Sequence, residues 1–480
     1  MPHLAPVVLA LLALADTPAP PSPADLVAAF ETVLADAIAR AEPSVVAIAR
    51  DKEGKGDATS AVRGRGNPLA DVPDAPPGFA VFRGGFDDPE IPEYIASDYG
   101  SGVVIGGRGE ILTTFSVVKG ASKLLVRARG VKEFYALVIA ADPRSDLAVI
   151  APADPSLGLR ASFKPLPLGD ATRLRKGNFL LALGNPFNAG RDGRASASWG
   201  ILANIARRLE LPSAANEPYK RQLRNYPTLL QLDSKLNLGM SGGAVVNLKG
   251  ELIGLTTNAA NAGGFDAQAG YALPVDILAR RAIEALRQGK EVEYGFLGVV
   301  LPEDGSNRIK EVTAGTPAGE GGLVAQDVVL SIGGIAVVDV DSLVMAVNAF
   351  SPGQPIKVRI RRDEKEFDKT VILSKLLVHG EVIATNRVAA WRGLRVDFIS
   401  TDPRSARGVA LLDAMARGGV LVTGVEPGSA ADDATLKTGQ VITAVAGQPV
   451  RTPAEFAKAI PDRRGPVELT TEGDRKVTVK

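Results

Sequence analysis

Cysteine is absent from this chain, and histidine nearly so: His3 and His379 are the two among 480 residues. The first absence excludes thiol catalysis, disulfide staples and cysteine-based zinc sites, and the second excludes a histidine-rich metal centre. A surplus of charge of one sign is also lacking, with Lys+Arg 55 against Asp+Glu 54 for a net charge of +1. No basic field therefore points to nucleic acid, and no polyanionic tail is present. Past residue 15 no apolar run is long enough to cross a bilayer. Nothing in the spacing of the remaining polar residues calls for a cofactor or a metal.

What is there exceeds one ordinary core. At 480 residues the chain predicts two to four domains. Leu4 to Ala15 is an apolar run ending in the small residues "ALA", which predicts an export signal over 1–15 and a destination in the periplasm or cell envelope. The run has no Lys or Arg before it, so an uncleaved anchor is the alternative. A Pro-rich linker follows at 16–23. Residues 24–43 carry apolar positions at helical spacing, and 44–49 read as a strand. The stretch 51–99, rich in Gly, Pro and charge, reads as a long surface loop.

From Gly100 to about Pro274 the pattern is of many short strands, such as "GSGVVIG", "EILTTFS", "KLLVRAR", "FYALVIA", "DLAVIA", "FLLALG" and "GAVVNL". Gly, Asn and Pro punctuate them, which predicts a mostly β sandwich or barrel rather than βαβ units. An amphipathic helix over 275–290 closes the region. The remainder contains a repeat: residues 314–337 align without gaps on 427–450, with Gly315 on Gly428, Ala318 on Ala431, Leu323 on Leu436 and Gly334 on Gly447. Two copies of one small domain occupy 293–378 and 391–480.

One short stretch carries chemistry. In "LGMSGGAVVN" (238–247) a serine sits between glycines at the mouth of a strand. Such a turn can present a nucleophilic hydroxyl and aim backbone N–H groups at an oxyanion. Alone the pattern is weak, because glycine-rich turns are common.

The neighbouring blocks make it specific. The chain resembles the HtrA/DegP-like (Deg) family of trypsin-fold serine proteases with C-terminal PDZ domains. The resemblance rests on "GSGVVIGGRGEILTTFSVVKGA" (100–121), "ADPRSDLAVI" (141–150), "LPLGDATRLRKGNFLLALGNPF" (166–187), "LLQLDSKLNLGMSGGAVVNLKGELIGLTT" (229–257), "GYALPV" (270–275) and "YGFLGV" (294–299). It implies a trypsin-like double β-barrel over 24–290 followed by two PDZ domains. It puts the nucleophile at Ser241, the triad acid at Asp146 and the oxyanion hole at Gly239, Met240 and Ser241, with the Gly239 and Ser241 N–H groups as donors. It also implies protein quality control as the setting, and a homotrimer or a mixed oligomer with active relatives.

The family's histidine falls in "ILTTFSVVKGA", where the pattern is Thr-Asn-x-His-Val-Val. Ser116 occupies that place, and the flanking "ILT" and "VV" fix the register. A serine hydroxyl needs a base within hydrogen-bond reach. Removing the histidine from a working triad costs about 10⁶-fold in turnover, roughly 8 kcal/mol, and leaves about 10³-fold over water. Ser116 is too weak a base to replace it. His379 in the connector between the repeats, Lys119 or Lys235, or a histidine from another subunit would have to act instead. Met240 stands where the family has Asn, and Leu238 where it has Pro. Residues 206–228, rich in Arg and Lys, read as an insertion beside the active-site face.

The expectation is therefore a protease homologue without its base. It would bind unfolded or C-terminal peptide segments as a chaperone, scaffold or regulator; an active serine endopeptidase with an unorthodox base is the alternative. PDZ domains add an extended peptide to a sheet edge and capture its carboxylate with backbone amides. The loops expected to do so are Gly295, Phe296, Leu297 and Gly298 in the first copy, and Gly393 and Leu394 within Arg392–Arg395 in the second.

Overall fold

The computed structural model describes residues 21–52, 98–157, 163–186, 192–207, 228–237, 239–257, 270–403, 418–460 and 465–480. The export signal at 1–15, most of the linker, residues 53–97 of the expected loop, residues 208–227 of the expected insertion and Leu238 lie outside them.

Two closed six-stranded barrels and two PDZ domains make up the chain. The opening helix α1 spans Pro23–Ala41, where Ser22 and Asp25 form a capping box that satisfies the first free N–H groups. Six strands follow: β1 (Val45–Lys52), β2 (Asp98–Val104), β3 (Ile111–Thr114), β4 (Ala121–Ala128), β5 (Val131–Asp142) and β6 (Leu147–Pro152). They run in the order β5-β4-β1-β2-β3-β6 and close through β5–β6. The stretch "EILTTFS" is not all strand. It turns into the short helix α2 (Phe115–Val118), so Ser116 sits on a helical turn.

The second barrel contains β7 (Phe179–Gly184), β8 (Ser196–Arg207), β9 (Leu229–Leu232), β10 (Ala244–Val246), β11 (Leu252–Thr256) and β12 (Gly270–Pro274), in the ring order β10-β11-β12-β9-β8-β7. Alternation decides where each side chain goes. In β7, Leu180 and Ala182 fill the interior of the second barrel, while Leu181 and Leu183 face the first barrel. Both faces are buried, which is why "FLLALG" reads as a continuous apolar run. The same split sends Val245 inward and Ala244 and Val246 to the layer between barrels. Helix α3 (Ile277–Arg287), capped by Asp276, packs Ala279, Ala282, Ile283 and Leu286 onto that layer.

The first PDZ domain places helix Val340–Asn348 beside the short strand Val299–Val300, which pairs with Glu311–Val312. The second repeats the plan with helix Pro453–Ala459 and strand Leu394–Phe398. The connector between them is held on the first barrel, where Ile383–Ala384 pairs with β5. Among the described residues no helix is long and apolar enough to cross a membrane.

Candidate active site and peptide groove

Ser241 sits on a turn between the barrels and is buried. Its glycines are required by geometry. Gly239 has φ +93°, and a Cβ there would lie 2.5 Å from Asn185 O and 2.6 Å from the Tyr99 ring. Gly242 has φ +83° and would meet Ser101 O at 2.2 Å; only glycine takes this conformation without strain. Ser101, on β2, ties the turn to the first barrel. Its N–H donates to Ser241 O and its hydroxyl to Gly239 O, both at 2.8 Å, and it accepts from Asn185 N–H at 2.8 Å. The Thr256 hydroxyl donates to Met240 O from below.

The N–H groups of Gly239 and Ser241 donate to no described group, whereas Met240 N–H is engaged inside the turn with Asn237 O at 3.1 Å. Met240 points its side chain into the core of the second barrel. Of the three N–H groups expected at the oxyanion position, those of Gly239 and Ser241 thus have no partner among the described residues and that of Met240 has one.

Asp146 and Ser116 lie together. Asp146, on the turn into β6, is buried and has φ +54°, a left-handed conformation that Asp tolerates better than most residues. Its Oδ1 accepts Ser116 N–H at 2.9 Å, and its main-chain carbonyl accepts Phe115 N–H at 2.9 Å. Burial lifts its carboxyl to about 7, against the pull of the Ser116 N–H and the Thr257 and Ser116 hydroxyls. Arg50 holds the other end of α2, donating from Nη1 to Ser116 O at 2.5 Å and Val117 O at 2.8 Å.

Between Ser116 and Ser241 stands Thr114, a residue the motif reading passed over. Its Oγ1 is 2.9 Å from Ser116 Oγ and 3.2 Å from Ser241 Oγ. Among the described residues Thr114 is the one hydrogen-bond partner of Ser241 Oγ, and no nitrogen base reaches it. His379 and Lys235 are exposed, and Lys119 caps α2 through its N–H to Phe115 O. No group of three or more His, Asp or Glu among the described residues could hold a metal.

A second concavity, of about 360 Å³, lies in the first PDZ domain between the strand Val299–Val300 and the helix Val340–Asn348. Gly295, Phe296, Leu297 and Gly298 line it, with Gly295 against the last turn of that helix. The N–H groups of Leu297 and Gly298 donate to no described group, while their carbonyls accept from Ala318 and Thr313 N–H.

The second copy differs, and the structure shifts its register. Gly298 O accepts from Thr313 N–H and Leu297 O from Ala318 N–H; 113 residues on, Gly393 O accepts from Glu426 N–H and Arg392 O from Ala431 N–H. Gly393 therefore matches Gly298, and Leu394 matches Val299. Arg392–Arg395 set against Gly295–Gly298 is thus two residues out of register. Trp391 stands where the first copy has Phe296, packing edge-on against Phe456 of the helix at 6.1 Å between ring centroids. Arg392 replaces Leu297 and is committed to Val479 O and Gly465 O, each at 2.7 Å. Leu394 N–H is already donated to Trp391 O at 2.8 Å.

Comparison with known proteins adds the following. Residues 100–255 match the family model for a trypsin-like peptidase domain, and residues 295–373 and 421–472 each match one for a PDZ domain. A probable periplasmic serine endoprotease DegP-like of Ectopseudomonas mendocina (strain ymp) is 31% identical over 386 residues, covering 76% of this chain and 74% of that protein. The protein of the same description from Pseudomonas fluorescens is 30% identical over 418 residues, covering 80% and 79%. That from Chlamydia trachomatis is 27% identical over 391 residues, covering 78% and 72%.

Proposed function

The chain belongs to the HtrA/DegP-type serine endoprotease family, and from that footing we propose that it is a catalytically impaired member which binds peptides. Its relatives are described as periplasmic, which supports export through the apolar run at 4–15 and work as a chaperone, scaffold or regulator in the envelope.

One observation carries the impairment. Ser241 Oγ has a threonine hydroxyl where a general base must be, and Ser116 fills the imidazole's seat with its own N–H on Asp146. Neither hydroxyl removes a proton from Ser241 at a useful rate near neutral pH. The free N–H groups of Gly239 and Ser241 keep the outline of an oxyanion hole without the chemistry that would fill it. Peptide binding then falls to the first PDZ groove, with its open strand edge and unspent amides.

The test is casein hydrolysis by the unmodified protein, Ser116→His and Ser241→Ala. Ser116→His is expected to exceed the unmodified protein by at least about 10³-fold, part of the roughly 10⁶-fold that a triad histidine supplies. Turnover by the unmodified protein that Ser241→Ala abolishes would refute the proposal.

A specific feature favours a second reading, an active endopeptidase with an unorthodox base. The hydroxyls of Ser241, Thr114 and Ser116 form a chain that ends on Asp146, and that carboxyl is lifted to about 7. It would match imidazole in basicity. One proton handed along each hydroxyl would leave Ser241 deprotonated and Asp146 neutral. On this reading Thr114→Val, which breaks the chain, removes a Ser241-dependent hydrolysis that the unmodified protein possesses.

Assembly is part of the proposal. Phe30 of α1, Phe179 and Trp199 cluster with ring centroids 5.0 to 5.9 Å apart. Phe179 and Trp199 are exposed. Such a patch suits a second copy in a homotrimer, or an active relative in a mixed oligomer.

A further inference from the structure

The groove of the first PDZ domain is not built by that domain alone. Arg144, from the turn of the first barrel that also carries Asp146, lines it together with Gly295 and Phe296. The joint that holds it there is ordered. Tyr294, the residue before Gly295, donates its hydroxyl to Asp142 Oδ2 at 2.5 Å, and Ser145 donates N–H and hydroxyl to the same oxygen at 2.9 and 2.6 Å. The Arg144 guanidinium lies over one side of the Tyr294 ring at 5.1 Å, and Arg281 stacks on it at 5.7 Å. Arg281 in turn donates to Glu293 O and Asn348 O at 2.5 and 2.9 Å, which fixes the last turn of the groove helix.

The two ends of the groove differ in charge. The Gly295 end has Arg144, beside Tyr294, and the N–H groups of Leu297 and Gly298, which donate to no described group. That end faces the last turn of the helix, because a Cβ on Gly295 would lie 2.7 Å from Val347 O. Asp341, in the first turn of the same helix, lines the other end. Seven helical steps lead from Asp341 to Asn348, about 10 Å at 1.5 Å per residue. An extended peptide covers about 10 Å in three residues. Between the ends the lining is apolar, with Leu297, Val299, Leu343, Val344 and Val347.

We propose that this composite groove selects free chain ends of matching polarity: a terminal carboxylate read by the barrel's Arg144, an apolar last side chain, and a basic side chain about three residues upstream facing Asp341. The inference rests on the peptide-binding reading above and names its ligand. Arg144 acts as a specificity residue supplied by the barrel, so the peptide preference is a property of the whole chain and not of the PDZ sequence by itself.

Fluorescence anisotropy on the full chain tests it, with fluorescein-labelled hexapeptides ending in Lys-Ala-Ala-Val as the free acid and as the amide, and with Glu replacing the Lys. The unmodified protein is expected to favour the acid over the amide by about tenfold, the scale of a charge-assisted hydrogen bond. Arg144→Gln should shrink that preference to within about twofold, whereas Arg144→Lys, which keeps the charge and guards against a folding defect, should retain most of it. Asp341→Asn should erase the preference for Lys over Glu and leave the acid-to-amide ratio alone. An acid preference that survives intact in Arg144→Gln overturns the inference while leaving peptide binding standing. Failure of the unmodified protein to bind any of the peptides defeats the peptide-binding reading itself.

Discussion

Ser116 leaves Asp146 a peptide N–H and neutral hydroxyls to bond, in a site sealed from water. Desolvation then favours the neutral acid, and its carboxyl rises to about 7. The consequence for stability has a definite sign. Between the ordinary carboxyl range and about 7 the unfolded chain is ionised here while the folded chain holds its proton, so stability from this group falls as pH rises through that window. Asp146→Asn keeps an acceptor for Ser116 N–H and removes the titration. In urea unfolding, the unmodified protein is expected to lose roughly 2–3 kcal/mol relative to Asp146→Asn between pH 5 and pH 8. Parallel pH profiles for the two would show that Asp146 is not held neutral. At this scale the sequence was legible where a motif fixed the register: Ser241, Asp146 and Ser116 were named, and the structure joins Ser116 to Asp146 directly and to Ser241 through Thr114. Thr114, Ser101 and Arg50 were not, because each acts through a fold-level contact with no local pattern to mark it.

Elements were legible in proportion to their periodicity. Helix α1 and helix α3 carry apolar residues at helical spacing and caps at their starts, and both form within two or three residues of the expected bounds. Strand β7 announced itself by burying both faces. Strand β8 did not, because it shifts register against β9 at Leu202/Asn204 and Asn204/Arg207, and its alternation breaks with it. The second PDZ loop was read two residues out of register, since the gapless repeat begins only after the loop, and 36 residues separate Gly393 from Ser429 where 18 separate Gly298 from Thr316. Contacts between elements left no trace in the sequence. Lys375, buried in the first PDZ domain, meets Asp397 of the second at 2.6 Å and Glu291 and Glu293 of the segment after α3 at 2.9 and 3.3 Å. Burial opposes its charge, but the three carboxylates outweigh it and hold the ammonium above its usual range. Lys375→Met would strand three acids around an apolar side chain, at a cost of about 3–5 kcal/mol. The second PDZ domain should then swing away, with a larger radius of gyration in X-ray scattering and faster proteolysis between 376 and 393. An unchanged scattering profile would mean that this cluster does not hold the domains together.

The whole molecule combines a trypsin-like double barrel with a groove lined by both barrel and PDZ residues. Its family relationship spans most of the chain, which is why barrels and PDZ domains could be anticipated together. Its surface could not be, because exposure depends on tertiary packing. Leu181 and Trp199 both come from apolar-looking strands, yet one is sealed between the barrels and the other stands 55% exposed beside Phe30 and Phe179. If that patch seats a second copy, Trp199→Glu should convert the oligomer to monomers in sedimentation velocity. An unmodified protein that sediments as a monomer would contradict the assembly.

The reactivity of Ser241 bears on the central claim more directly than turnover does, because a fluorophosphonate needs an activated hydroxyl but no peptide specificity. Intact-mass spectrometry after exposure to the probe should find no adduct on the unmodified protein and a single adduct on Ser116→His, mapping to Ser241. An adduct on Ser241 of the unmodified protein, lost in Ser241→Ala, would contradict the account and establish a working nucleophile without a histidine.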